Sequence, residues 1–163
     1  MKAAVAAAFS LAAFAYALPA GADDHLVRFD GGIGSQVWAR NNATNAVVDN
    51  DVLGVRPGGR PWVISRLSAD VRTDGTISVD GRGLLLAGGG GVGSNGGQSV
   101  HARLFCDGVA FNSRTVPLED NGDFRIDGDL GNVPPVCGTP ILLIVSGASG
   151  GNGNWFAAGI PKR

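Results

Sequence analysis

"PWVISRLSADVRTDGTISVDGRGLLLA", Pro61 to Ala87, carries the clearest periodicity in the chain. Val63, Ser65, Leu67, Ala69 and Val71 fall on one face, and Ile64, Arg66, Ser68, Asp70 and Arg72 on the other. A repeat of two belongs to a half-buried strand, not to a helix. "TDG" interrupts it, and "TISVDGRGLLLA" resumes it, which reads as a hairpin. A two-residue Asp74-Gly75 turn would set Val71 opposite Ser78 and Asp70 opposite Val79, mixing the faces. A three-residue loop, Thr73-Asp74-Gly75, sets Arg72 opposite Thr76, Val71 opposite Ile77, Ala69 opposite Val79 and Val63 opposite Leu85. Apolar pairs then share a face, and Gly75 takes the left-handed position of a G1 bulge. Arg66 falls opposite Arg82, a repulsion that Asp80 on the diagonal offsets.

The same pattern extends outward. In "QSVHARLFC", Val100, Ala102, Leu104 and Cys106 line one face, and His101, Arg103 and Phe105 the other, a polar face that places His101 at the surface. "TVPL" and "DFRIDGDL" flank the turn "EDNG" as a second hairpin. "TPILLIVS" is apolar on both faces and reads as a central strand covered on each side. "WFAAGI" is a last strand, and "HLVRFDGGIG", "QVWAR" and "NAVV" are shorter ones upstream. No stretch of the mature chain has a helical period. The expectation is an all-β, antiparallel β-sandwich, Ig-like or transthyretin-like, of roughly seven to nine strands with one disulfide.

The N-terminal "MKAAVAAAFSLAAFAYALPAGADD" has a basic start at Lys2, an apolar run too short to span a bilayer, and a small-x-small site at Ala20-Gly21-Ala22. It reads as a signal peptide over residues 1–22, leaving residues 23–163 as a single domain. Roughly 140 mature residues are enough for one real core. No cysteine marks a lipid anchor at the cut and no later run reaches spanning length, so no membrane insertion is expected after cleavage. The location is then exported, periplasmic or extracellular. The formal charge of −1 offers no basic surface for nucleic acid. The basic residues are almost all Arg and the chain holds 27 Gly, a composition that fits a GC-rich bacterial genome. Export to an oxidising compartment makes Cys106 and Cys137 a disulfide pair. A loop of that length stabilises by roughly 3–4 kcal/mol in the chain-entropy account.

Several motifs fail on context. Gly91-Val92-Gly93-Ser94-Asn95-Gly96 spells G-x-G-x-x-G, but the segment after it has a strand period. No helix N-terminus is there to hold a pyrophosphate. It reads as a long flexible hairpin connection. Gly147-Ala148-Ser149-Gly150-Gly151 spells G-x-S-x-G, yet no Asp, Glu or His follows Ser149 to complete a triad. Most acids stand beside glycine, which is turn chemistry. "DNGDFRIDGD" lacks the offsets and closing Glu of a calcium loop. Trp38, Trp62, Trp155 and Phe156 form either core or a sugar-stacking platform.

Cleavage after Ala22 would start the mature chain Asp23-Asp24-His25. A free amine, two deprotonated amides and the imidazole then offer four nitrogens in a plane, which suits Cu(II) or Ni(II).

"SVHARLFC…TVPLEDNGDFRIDGDL…CGTPILLI…NWFAAGI" resembles small exported bacterial proteins of unknown function, over about residues 60–162. "VHARLFCDG…VPLEDNGDFRI" also resembles transthyretin-like extracellular sandwiches, where a strand carrying Cys leads to a hairpin with an "NGDF" kind of turn. The likeness implies a sandwich and no ligand. Three functions follow as expectations. The first is a non-catalytic exported domain that binds an unknown protein or surface partner. The second is a copper or nickel site at Asp23, Asp24 and His25. The third is a hydrolase with a site around His101.

Overall fold

A computed structural model of the chain describes residues 24–147 and 153–162. The expected signal peptide, residues 1–22, and also Asp23 and Ser149 lie outside the described residues. In chain order the strands are β1 (His25–Gly34), β2 (Trp38–Arg40), β3 (Val47–Asp49), β4 (Trp62–Val63), β5 (Arg66–Arg72), β6 (Thr76–Arg82) and β7 (Leu85–Leu86). After a short 3-10 turn at Gly89–Gly91 come β8 (Ser99–Cys106), β9 (Val109–Asn112), β10 (Val116–Pro117), β11 (Phe124–Asp129), β12 (Ile141–Ser146) and β13 (Trp155–Pro161).

The hairpin closes in the three-residue register. Val71 faces Ile77, Ala69 faces Val79 and Arg66 faces Arg82; further out, Val63 faces Leu85. Gly75 sits at φ +89°, where a side chain would be strained. Asp74 completes the turn by accepting from the Thr76 amide at 2.9 Å and hydroxyl at 2.7 Å. Sidedness departs from the simple alternation. Leu67, Ala69, Val71, Ile77 and Val79 are buried, but beyond Ser65 it is Trp62, Leu84 and Leu86 that turn inward, while Val63 is exposed. Gly83, at φ +63°, gives the backbone the extra turn. The Ser65 amide donating to the Arg82 carbonyl at 2.9 Å keeps the two strands in step across it. The hairpin therefore leaves the main sheet and ends as a separate two-stranded ribbon, β4–β7.

The main sheet runs β10-β8-β12-β13-β1-β5-β6-β11, with β9 also paired to β8. Its neighbours are antiparallel throughout. The sheet curls, so that Val100 and Leu104 of β8 and Ile144 of β12 share one core with Leu67, Val79 and Ile126 from the other half. The all-β antiparallel expectation holds, and its two facing layers are the halves of a single curled sheet. Each such Leu, Ile or Val contributes roughly 1.5–3 kcal/mol of transfer free energy when fully buried.

β12 is covered on both faces, as "ILLIVS" implies. Leu142 and Ile144 face the main core. Leu143 and Val145 face a second cluster with Val55, Phe105 and Trp155. The cover is the segment between β3 and β4: Val52 and Val55 bridge each other and Pro57 bridges Trp155. This corrects the sequence expectation for β8. Its second face is not surface, since His101, Arg103 and Phe105 are all buried there. Periodicity reports which side chains share a face, not whether another segment covers it.

Two connections also differ from expectation. The turn before β11 forms, with Gly122 donating to the Glu119 carbonyl at 2.8 Å and Glu119 to the Asp123 carbonyl at 3.0 Å. Its flanking strands do not pair with each other: β10 joins β8 and β11 joins β6. The turn thus spans the two ends of the curled sheet. The glycine loop after β7 is not a hairpin connection either, because β7 pairs with β4 and β8 with β12. It is pinned, the Leu86 amide donating to the Ser94 carbonyl at 2.9 Å and Asn95 Nδ2 to the Glu119 carbonyl at 3.1 Å. Cys106 and Cys137, 31 positions apart, form the disulfide, which ties the end of β8 to the loop before β12. Among the described residues no helix is long and apolar enough to cross a membrane.

Candidate functional site

β2 and β3 form a two-stranded ribbon of their own, with Trp38 opposite Asp49, Ala39 opposite Val48 and Arg40 opposite Val47. Cross-strand partners share a face, so Trp38, Arg40, Val47 and Asp49 lie together. The sequence builds the turn locally. Asn41 Oδ1 accepts from the amides of Ala43 and Thr44 at 2.9 and 3.0 Å, and Asn45 takes φ +55°. The base is anchored where Asn50 Nδ2 donates to the Gln36 carbonyl and Trp155 Nε1 to the Asn50 carbonyl, at 3.0 and 2.9 Å. The ribbon is therefore held firmly at its root while Trp38 is 64% exposed and Val47 60% exposed.

This separates the four aromatics that the sequence grouped. Trp62, Trp155 and Phe156 are buried, and Trp38 is not. Trp62 and Phe156 stack on each other, so the four do not make a common sugar platform. The exposure of Trp38 was not readable from "QVWAR", because three residues are too few to establish an alternation.

His101, opposite Val145 of β12, is only 4% exposed. Its Nε2 has no hydrogen-bond partner among the described residues. Burial, and then the charge of Arg103, hold its pKa below the ordinary imidazole value. A neutral imidazole can serve as a base, but a triad also needs an acid to orient it. No carboxylate among the described residues is hydrogen-bonded to His101.

At the N-terminus, Asp24 is exposed and His25 opens β1 opposite Arg72. His25 Nδ1 lies 2.6 Å from Asp70 Oδ1, and the Asp24 carbonyl accepts from the Thr73 amide at 2.9 Å. A chelate that closes on the histidine's own amide uses Nδ1, the ring nitrogen nearer the backbone. Copper or nickel binding through Asp23, Asp24 and His25 therefore competes with the Asp70 contact and with the start of β1.

The acids mostly serve turns and ion pairs. Asp107 accepts from the Thr139 amide at 2.9 Å, and Asp123 from the Gly83 amide at 3.0 Å. Arg82 bridges Asp80 and Asp123, both at 2.9 Å, and Arg125 pairs with Asp127 at 2.7 Å. Among the described residues no group of three or more His, Cys, Asp or Glu is placed to hold a metal ion.

No protein-family model, curated protein or solved structure matches this chain.

Proposed function

We propose that this is an exported, non-catalytic β-domain that binds a protein partner through the β2–β3 ribbon. The observation that carries the reading is the exposure of Trp38 and Val47 on one face of a ribbon rooted in the fold. Exposed aromatic side chains on a rigid support are the usual anchors of protein interfaces, because they bury much area at little entropic cost. Among the described residues neither strand of the ribbon has a second neighbour. An edge of this kind can accept an added strand while Trp38 fills a pocket. The apolar leader and the Cys106–Cys137 disulfide support export.

The test places a photo-crosslinking residue at Val47 in the exporting cell, with Ser78 on β6 as the control position. The captured protein is then purified and its affinity measured. The expected result is one adduct specific to position 47, and binding weakened about tenfold or more by Trp38→Ala. Trp38 supports no core, so the variant should unfold at the wild-type midpoint. Absence of a position-specific adduct, or an affinity that Trp38→Ala leaves unchanged, would overturn the reading.

A further inference from the structure

Arg103 stands mid-strand in β8, opposite Leu143 of β12 on one side and Asn112 of β9 on the other. It is 9% exposed. Its Nε donates to Asn112 Oδ1 at 2.7 Å. Among the described residues neither Nη group has a hydrogen-bond acceptor, and no carboxylate lies within 4.0 Å of the guanidinium. An arginine cannot shed its proton to escape this. The Nη atoms are not fully buried, so the free end of the guanidinium meets solvent at the cavity and not the apolar core, and its charge is without a counter-charge there.

The side chain opens onto a cavity of about 260 Å³ lined by Gly54, Val55, Arg56, Arg103, Gly153 and Asn154. Among the described residues the lining has two cations and no acid. Arg56 reaches it from the covering segment with a side chain 73% exposed, and its contact with Asp49 is long, at 4.0 Å. The cavity is smaller than the roughly 300–1,000 Å³ typical of drug-sized ligands.

We infer that this cavity binds a small oxyanion, a carboxylate or a phosphate. With Nε held by Asn112, Arg103 presents its two Nη groups as a fork, the geometry that meets two oxygens of one planar or tetrahedral anion. Arg56 supplies the second charge from the rim, and the Asn154 amide a polar wall. This site is independent of the β2–β3 ribbon and stands whether or not that surface binds a partner. His101, two positions before Arg103 on the same strand, reports on it: an anion that neutralises Arg103 removes a repulsion and raises the imidazole's affinity for a proton.

The experiment is an NMR titration of the exported chain with sodium acetate and, separately, inorganic phosphate, at constant ionic strength. The expected result is saturable binding of at least one anion, with shifts at the Gly153 and Asn154 amides and the His101 ring. Acetate alone assigns a carboxylate site, phosphate alone a phosphate site, and both a general oxyanion site. Affinity falls about tenfold or more in Arg103→Gln and about threefold in Arg56→Ala, and is unchanged in Arg82→Ala. If Arg103→Gln does not fold, the exposed Arg56→Ala decides alone. Failure of both anions to saturate, or equal weakening by Arg56→Ala and Arg82→Ala, would show only diffuse attraction to surface charge and overturn the assignment.

Discussion

The rings of Trp62 and Phe156 stack with centroids 4.1 Å apart and planes 20° from parallel. One comes from β4 and the other from β13, so the pair fastens the β4–β7 ribbon to the main sheet. Trp62→Ala or Phe156→Ala should each lower stability by about 3–5 kcal/mol. The double variant should lose about 0.5–1.5 kcal/mol less than the two singles together, because each single already breaks the ring contact. Urea unfolding of the four proteins measures this; strict additivity would mean that the stack itself contributes nothing.

Ser35 links the same two residues through its backbone, its amide donating to the Phe156 carbonyl at 2.8 Å and its carbonyl accepting from the Trp62 amide at 2.9 Å. Its hydroxyl is fully buried and has no partner among the described residues. Ser35→Ala removes an unsatisfied polar atom and keeps both backbone bonds. Stability should rise by about 1 kcal/mol. A clear loss in the urea midpoint would show that the hydroxyl is satisfied in solution.

The disulfide joins cysteines 31 positions apart and ends in the main core at Cys106. Replacing both cysteines by Ala should cost roughly 3–4 kcal/mol. Wild type treated with reductant under unfolding conditions should show the same loss. Equal midpoints for oxidised and reduced protein would rule this contribution out.

His101 makes stability depend on pH. Burial, then Arg103, hold its pKa in the fold below the ordinary 6.5. The unfolded chain takes up a proton that the folded chain refuses. Stability is therefore unaffected by this group well above pH 6.5 and falls as the pH drops below it. The carboxylates with lowered pKa, Asp74, Asp107, Asp123 and Asp127, have the opposite shift relative to charge. Their stabilisation is present above the ordinary 3.8 and is lost only in stronger acid. The urea midpoint should thus drop between about pH 7.5 and about pH 5, and His101→Gln should flatten that drop. An unchanged slope in the variant would assign the effect elsewhere.

The local chemistry of the chain was enough to set the hairpin register, from Val71 opposite Ile77 in β5–β6 to Val63 opposite Leu85 in β4–β7. Only one loop length keeps Leu67, Ala69, Val71, Ile77 and Val79 on a common face, and Gly75 permits that loop. The two-faced apolarity of "ILLIVS" likewise foretold a strand covered on both sides, and the cysteine pair foretold its bond. What lay beyond reach was long-range coverage. Nothing local in "DVLGVRP" says that Val55 will pack with Phe105 and stand beside Arg103, and nothing in "QVWAR" says that Trp38 will be left outside. Nor does the turn after Leu118 reveal that its two flanking strands go to opposite ends of one curled sheet. Periodicity is a property of neighbours along the chain and is written in a dozen residues. Burial and strand partnership depend on segments tens of positions away, and both candidate sites arise from where those segments come to rest.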